Sequence, residues 1–265
     1  MEFSVLYFGD IVGEPGRSVV AEVLPDLIKE FEPDLVLANI ENATHGKGVL
    51  PKHYAELRKI GIDGFSSGDH IFRFDELYPE MNKPDFMLAR PANYPDKAPG
   101  KGYLDFVVKG KRVRLINLMG RVFMHNNVSS PFEMFDRIAE IGPKPDAIIV
   151  DMHAEATSEK RALAEYVGGR AQLIVGTHTH VPTADAQILA NGAAFISDLG
   201  MCGPQDSSLG ADKNEALKGF LTGLPWRYSV ASGQCELGAA FATIDFDSQT
   251  AHHIEHIRRF GYINS

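Results

Sequence analysis

The stretch LIVGTHTH, Leu173 to His180, is a short apolar run that stops at two histidines one residue apart. A run of this length bounded by polar residues reads as a strand buried on both faces. On extended backbone a His-x-His pair points both imidazoles the same way, as two ligands on one metal edge require. Outward from this stretch the same form returns. Asp10 follows the run Phe3–Phe8, Glu41 and Asn42 follow Leu35–Ile40, Asp69 and His70 follow Gly64–Ser67, and His153 lies just beyond Ala147–Val150. Further strands are expected at Val113–Leu118, Ala194–Ile196 and Ala239–Ile244. Buried strands alternating with helical segments make an α/β chain, and in such sheets ligands bind outside the carboxyl ends of the strands.

Between the first two strands, Val19, Val20, Val23, Leu24, Leu27, Ile28 and Phe31 form the stripe of an amphipathic helix, and Pro25 within it predicts a kink or a restart. Ser158–Val167 predicts another helix that begins just after His153, with Thr157 or Ser158 as its N-cap and Gly168-Gly169 beyond its end. Residues 75–106 carry Pro79, Pro84, Pro91, Pro95 and Pro99 with weak periodicity, the mark of an irregular connection across one face that could serve as a lid. No internal repeat or linker-like composition divides the chain, so residues 1–265 are expected to form a single domain.

With 265 residues, 44% of them hydrophobic and 23% charged, the chain can bury a sizeable core. A formal net charge of −9 argues against a broad footprint on duplex nucleic acid and leaves small ligands or short oligonucleotides as partners. No stretch approaches the roughly 20 apolar residues of a spanning helix, and the first residues lack a basic leader. Cys202 and Cys235 are too few for a disulfide framework. A cytoplasmic location with no membrane partner is the expectation.

Taken singly, each strand-end residue has an ordinary structural explanation. Asp10 could be a turn residue, Glu41-Asn42 a helix cap, Asp69-His70 a turn with an exposed imidazole, and His153 a satisfied half-buried histidine. Carboxylates, an amide and imidazoles arriving at one sheet edge from five strands are explained together by a metal centre. A mixed Asp/Glu, Asn and His set without cysteine suits manganese, iron or zinc better than an oxygen-only calcium or magnesium site. Two ions about 3.5–4 Å apart would need a bridging carboxylate. The glycine-rich Gly9–Gly16 does not have the GxGxxG spacing of a dinucleotide loop. His252, His253 and His256 read as decoration of an exposed strand or loop, and Cys202 as a small apolar packing residue. Trp226 reads as core or an oligomer contact. His45 and His125 stay open between substrate contacts and surface roles, and Arg90–Pro95 between a nucleotide contact and a rigid turn.

Seven segments in order, FGDIVGEPGR (8–17), NIENATHGKG (39–48), SSGDHIF (66–72), NLMGRVFM (117–124), DMHAEATSEK (151–160), GTHTHVPTAD (176–185) and GMCGPQDS (200–207), resemble the YmdB-type subgroup of calcineurin-like metallophosphoesterases. The resemblance implies a four-layer α/β/β/α sandwich and a dinuclear metal centre. It further implies phosphodiesterase activity on small cyclic nucleotides, 2′,3′-cyclic nucleotides above all and 3′,5′-cyclic AMP in some members. Carried over, the pattern makes Glu41 the bridging carboxylate, with Asp10, Asn42 and His180 on one ion and Asp69, His153 and His178 on the other. His70 would contact the scissile phosphate and protonate the leaving oxygen, a role an imidazole can fill near neutral pH. Iron or manganese leads as the metal, with zinc or magnesium as alternatives. Most relatives carry asparagine where this chain has Asp69, and the extra carboxylate should strengthen divalent binding while lowering the positive charge offered to a phosphate. A phosphomonoesterase or nucleotidase, and a non-catalytic nucleotide-binding regulator, are the alternative functions. A homo-oligomer is compatible with the sequence, which points to no interface.

Overall fold

The computed structural model describes residues 1–225 and 227–262, and Trp226 lies outside them. One sheet is built from β1 (Glu2–Ile11), β2 (Leu35–Asn39), β3 (Gly64–Ser66), β10 (Met201–Pro204), β11 (Gln234–Asp245) and β12 (Thr250–Tyr262), in the order β12-β11-β10-β1-β2-β3. The other contains β4 (Tyr103–Val108), β5 (Lys111–Met119), β6 (Ala147–His153), β7 (Leu173–Thr177), β8 (Gln187–Ile188) and β9 (Ala194–Ile196), in the order β4-β5-β6-β7-β9-β8. The central strands of each sheet run parallel, so their carboxyl ends share one edge.

Side-chain alternation along these strands assigns the layers. Phe3, Val5 and Tyr7 of β1 and Leu35 and Leu37 of β2 meet Leu115, Ile149, Leu173 and Val175 of the other sheet. The intervening Leu6, Phe8, Val36 and Ala38 instead pack on Val19, Val20, Leu24 and Leu27 of α1 (Gly13–Phe31) and Leu57 of α2 (Pro51–Lys59). On the far side, Ile148, Val150, Met152 and Ile174 pack against α4 (Pro131–Ala139) and α5 (Thr157–Val167) through Met134, Phe135, Leu163 and Val167. Three apolar seams therefore separate four layers, helix, sheet, sheet and helix, as expected. Each fully buried Leu, Ile or Phe in them contributes about 1.5–3 kcal/mol. The remaining helices, α3 (Tyr78–Met81) and α6 (Lys213–Thr222), lie in the connections.

Three local expectations need correction. Helix α1 runs through Pro25 without a restart. Pro25 and Ala21, four residues before it, are both exposed, so the carbonyl the proline leaves unpaired can turn to water. Helix α5 is preceded by Ala156, whose side chain gives no cap, and Thr157 is already helical. Residues 75–106 are not a lid: Leu77, Met81, Phe86, Leu88 and Ala89 are buried, Phe65 bridges to Leu88, and the segment ends in β4, an edge strand.

Candidate metal centre

The carboxyl edges of the two sheets bring the expected side chains together. Asp10 lies in β1 in register with Asn39 of β2, whose strand then delivers Glu41 and Asn42, while β6 ends at His153 in register with Thr177 of β7. Glu41, Asp69, His153 and His178 each offer one ligand atom within 4.8 Å of all the others. His180 Nε2 lies 3.3 Å from Asn42 Oδ1. Between these groups sits Asp10, fully buried, with Oδ2 accepting the His178 N–H at 3.0 Å and Oδ1 having no hydrogen-bond partner among the described residues. Glycine at 68 lets the loop approach the centre closely, because a Cβ there would overlap the Glu41 carboxylate and the His153 ring and displace them.

The protons on the imidazoles can be read from their outer contacts. Thr177 donates its hydroxyl hydrogen to Asp151 Oδ1 at 2.7 Å, so it accepts from His153 Nδ1–H at 2.9 Å. His180 Nδ1–H donates to the Leu209 carbonyl at 2.9 Å, and His178 Nε2 faces Glu155 at 3.3 Å. Each ring thus spends its outer nitrogen on an acceptor and turns the other inward. His153 Nε2 and His178 Nδ1 meet at 3.1 Å beside two carboxylates, and without a cation the space between them is bridged by the proton that Glu41 and Asp69 hold on His153. The Asn42 amide nitrogen is held by the Gly46 carbonyl at 2.9 Å, which leaves its oxygen for the centre. A set of inward oxygens and imine nitrogens with hydrogen-bonded backs fits a cation.

The electrostatics of these residues without a cation point the same way. Burial drives the Asp10 carboxyl well above its ordinary range, with Glu41 and Asp198 adding to the effect. Burial also lowers His178 to about 4, keeping it neutral. His153 is buried, which opposes its charge, yet Glu41 and Asp69 hold it protonated, the role a bound cation would take over. His70 is similarly raised, against the effect of burial, by its Nδ1 contact with Glu41 Oε1 at 3.1 Å.

The match to known proteins decides the family. The YmdB-like protein family model matches residues 6–257. The chain belongs to the YmdB-like family. Among its relatives, the Bacillus subtilis 2′,3′-cyclic-nucleotide 2′-phosphodiesterase is 43% identical over 255 residues, 96% of either chain. A crystal structure of a Mycoplasma pneumoniae phosphatase superposes with a TM-score of 0.91 at 34% identity, covering 98% of this chain and 94% of that one. The fold extends to a Thermus thermophilus 5′-nucleotidase precursor, TM-score 0.55 at 13% identity, of which 55% is covered. The YmdB-like chain thus has the metallophosphoesterase fold.

Within this YmdB-like protein the backbone geometry departs from the expectation at His178 and His180. Their φ angles are 100° and 64°, so the His-x-His pair lies on a turn after β7 and not on extended backbone. The turn is held by Asp10 at the His178 N–H and by Asp198 Oδ2 at the Thr179 N–H, 3.1 Å, with Asp198 itself paired to the buried Lys160 at 2.7 Å. Sequence reasoning missed Asp151, Thr177, Glu155 and Asp198. Asp151 alone left a signal, a carboxylate two residues before His153 in an apolar strand and therefore on the same buried face. His45 and His125 are exposed. Arg90 is no nucleotide contact: buried, it gives its guanidinium to the carbonyls of Pro91, Ala92, Ala98 and Pro99 and so clamps a turn. Cys202 is buried and its thiol is pushed far up by burial, consistent with packing.

Proposed function

We propose that this protein is a metal-dependent phosphodiesterase that hydrolyses small cyclic nucleotides. The observation that carries the reading is the convergence of potential ligand atoms, with His153 Nε2 and His178 Nδ1 3.1 Å apart beside the carboxylates of Glu41 and Asp69. Asp10, Asn42 and His180 would hold one ion, Asp69, His153 and His178 the other, and Glu41 both; manganese or iron suits this donor set. Such ions supply Lewis acidity toward phosphoryl oxygens and a water acidic enough to attack at neutral pH.

The chain's own residues do the rest. A cleft of about 520 Å³ opens over the centre and is lined at its base by Glu41, Asn42, His70, His178 and His180. Glu41 fixes His70 by accepting from both its backbone N–H, at 3.2 Å, and its ring Nδ1, at 3.1 Å. The other ring nitrogen, Nε2, is then available to the cleft. Attack of water on phosphorus breaks the bond to one ribose oxygen, and His70 delivers the proton that oxygen takes up, leaving a nucleoside monophosphate.

The relative from B. subtilis, named as a 2′,3′-cyclic-nucleotide 2′-phosphodiesterase, supports this substrate class. The phosphatase name of the M. pneumoniae structure favours a monoesterase as a second reading, which product analysis separates. The experiment is hydrolysis of 2′,3′-cyclic AMP, 3′,5′-cyclic AMP and bis-p-nitrophenyl phosphate by manganese-loaded protein, beside His70→Ala and Asp10→Ala, with elemental analysis. Diester turnover that collapses in both variants, with two metals per chain, is the expected result. Turnover of monoesters alone would move the reading to a phosphatase.

A further inference from the structure

We propose that the apolar rim of the cleft, Val181, Leu209, Phe220 and Tyr228, is a stacking platform for the nucleobase of the substrate; this rests on the phosphodiesterase reading above. The cleft has two chemically distinct ends. Its buried part carries Glu41, Asn42 and the imidazoles, while its more exposed lining holds these four side chains together with Lys47, Glu155, Thr179 and Ser208. Val181 is 53% exposed, Leu209 51% and Phe220 81%. A phosphodiester alone would leave such a rim in water. A nucleotide has both halves, an anion for the base of the cleft and a flat apolar face for the rim.

The rim is tied to the centre by the same contacts that orient the ligands. The Leu209 carbonyl takes the His180 Nδ1–H, and Leu209 sits at φ 54°, a left-handed conformation unfavourable to a leucine unless the surroundings fix it. The Tyr228 ring lies directly on Gly46, at φ 81°, where a Cβ would overlap the ring, and Gly46 in turn holds the Asn42 amide. Lys47 Nζ lies 5.3 Å from the Tyr228 ring centroid, and among the described residues it is the only lysine or arginine lining the cleft. A base on this rim is therefore presented at a fixed distance from the phosphorus position. Leu217 and Leu221 of α6, and Leu224 just beyond it, are exposed as well, but among the described residues Phe220 alone of that helix lines the cleft.

The probe that isolates the base is glycerol 1,2-cyclic phosphate, the same strained five-membered diester without a nucleobase. Base–aromatic stacking is worth about tenfold to a hundredfold in affinity. Phe220→Ala should raise KM for 2′,3′-cyclic AMP about tenfold with little change in kcat, so that the ratio of kcat/KM for the nucleotide over the glycerol diester falls by that factor. Phe220→Trp should restore the ratio. An equal loss on both substrates, or no loss on either, overturns the platform. If the wild type hydrolyses neither diester, the phosphodiesterase reading has failed and equilibrium titration decides the platform. Adenosine 2′-monophosphate should then bind about tenfold tighter than ribose 5-phosphate, and Phe220→Ala should abolish that difference. A variant that keeps the nucleotide preference but changes its sedimentation mass would show that Phe220 serves an interface between chains, and would also overturn the proposal.

Discussion

Replacing Thr177 by valine removes one hydroxyl and keeps the shape of the side chain. That hydroxyl donates to Asp151 Oδ1 at 2.7 Å, accepts from His153 Nδ1–H at 2.9 Å and lies 3.3 Å from the Asn39 amide nitrogen, all fully buried. The variant leaves one ring N–H of His153 and one oxygen of Asp151 with nothing to bond, at about 1–3 kcal/mol for each unsatisfied group, or about 2–6 kcal/mol together. Freed from Thr177, the His153 ring can also take the other tautomer and present an N–H to the centre in place of a lone pair. Loss of such an outer partner lowers metal affinity by about 10- to 100-fold. Urea unfolding in the presence of a chelator reads the first effect, and titration of chelated protein with manganese reads the second. Thr177→Ser keeps the hydroxyl and should recover most of both. A valine variant that unfolds at the wild-type urea concentration and binds manganese within twofold of wild type would refute the relay, as would a serine variant no better than valine.

Three further outcomes follow from the same contacts. Lys160→Met should cost about 3–5 kcal/mol in urea unfolding, because it strands the buried Asp198 carboxylate; Asp198→Asn added to it should recover part of the loss, and an unchanged midpoint in the single variant would exclude the pair as a structural tie. Burial, assisted by Arg17, depresses His53 to about 4, while its Nδ1 contacts the Thr44 hydroxyl at 2.6 Å. The folded state favours the neutral ring, so its stabilisation is complete above the unfolded value near 6.5 and is lost as the pH falls from there toward 4. Between pH 7 and pH 5 the wild type should lose about 1 kcal/mol more than His53→Gln, allowing for solvent screening; parallel urea midpoints at the two pH values would contradict this. Gly68→Ala should express as folded protein by circular dichroism and lose at least about tenfold in manganese affinity, since its Cβ competes for the space of Glu41 and His153; wild-type affinity would mean that the loop moves aside freely.

The sheets, the shared carboxyl edge and the residues at it were legible because strands buried on both faces write themselves as apolar runs and stop at polar ends. Strands β4, β8, β10 and β12 were not, and Ala239–Ile244 is not the final strand, since β12 follows it; β4, an edge strand, has a half-exposed alternation and comes directly after a proline-rich segment. The tight turn that returns it to β5 rests on Lys109 and Gly110 at φ 50° and 78°, a weaker signal than Asn-Gly. The contacts that orient the imidazoles were mostly hidden for a different reason. The Leu209 carbonyl behind His180 is backbone, which any residue supplies, and the meeting of Asp151 with Thr177 depends on the register of two parallel strands separated by a helix. The turn geometry at His178 and His180 was misjudged because the run of β-branched residues before it gives no hint that pairing stops at Thr177.

The polar seam beneath the centre has a mechanical consequence. Tyr7, Asn39 and Ser66 come from one sheet and Asp151 and Thr177 from the other, and they bond across a gap otherwise filled with greasy side chains. Oil between two plates resists separation but scarcely resists sliding, whereas directional bonds engage in only one alignment. The seam therefore acts as a dowel that sets the two plates in a single relative position. The proposed ligands straddle the same joint, Asp10, Glu41, Asn42 and Asp69 on one plate and His153, His178 and His180 on the other. A slip of one plate by an ångström would pull the two halves of the centre out of alignment while leaving every strand intact.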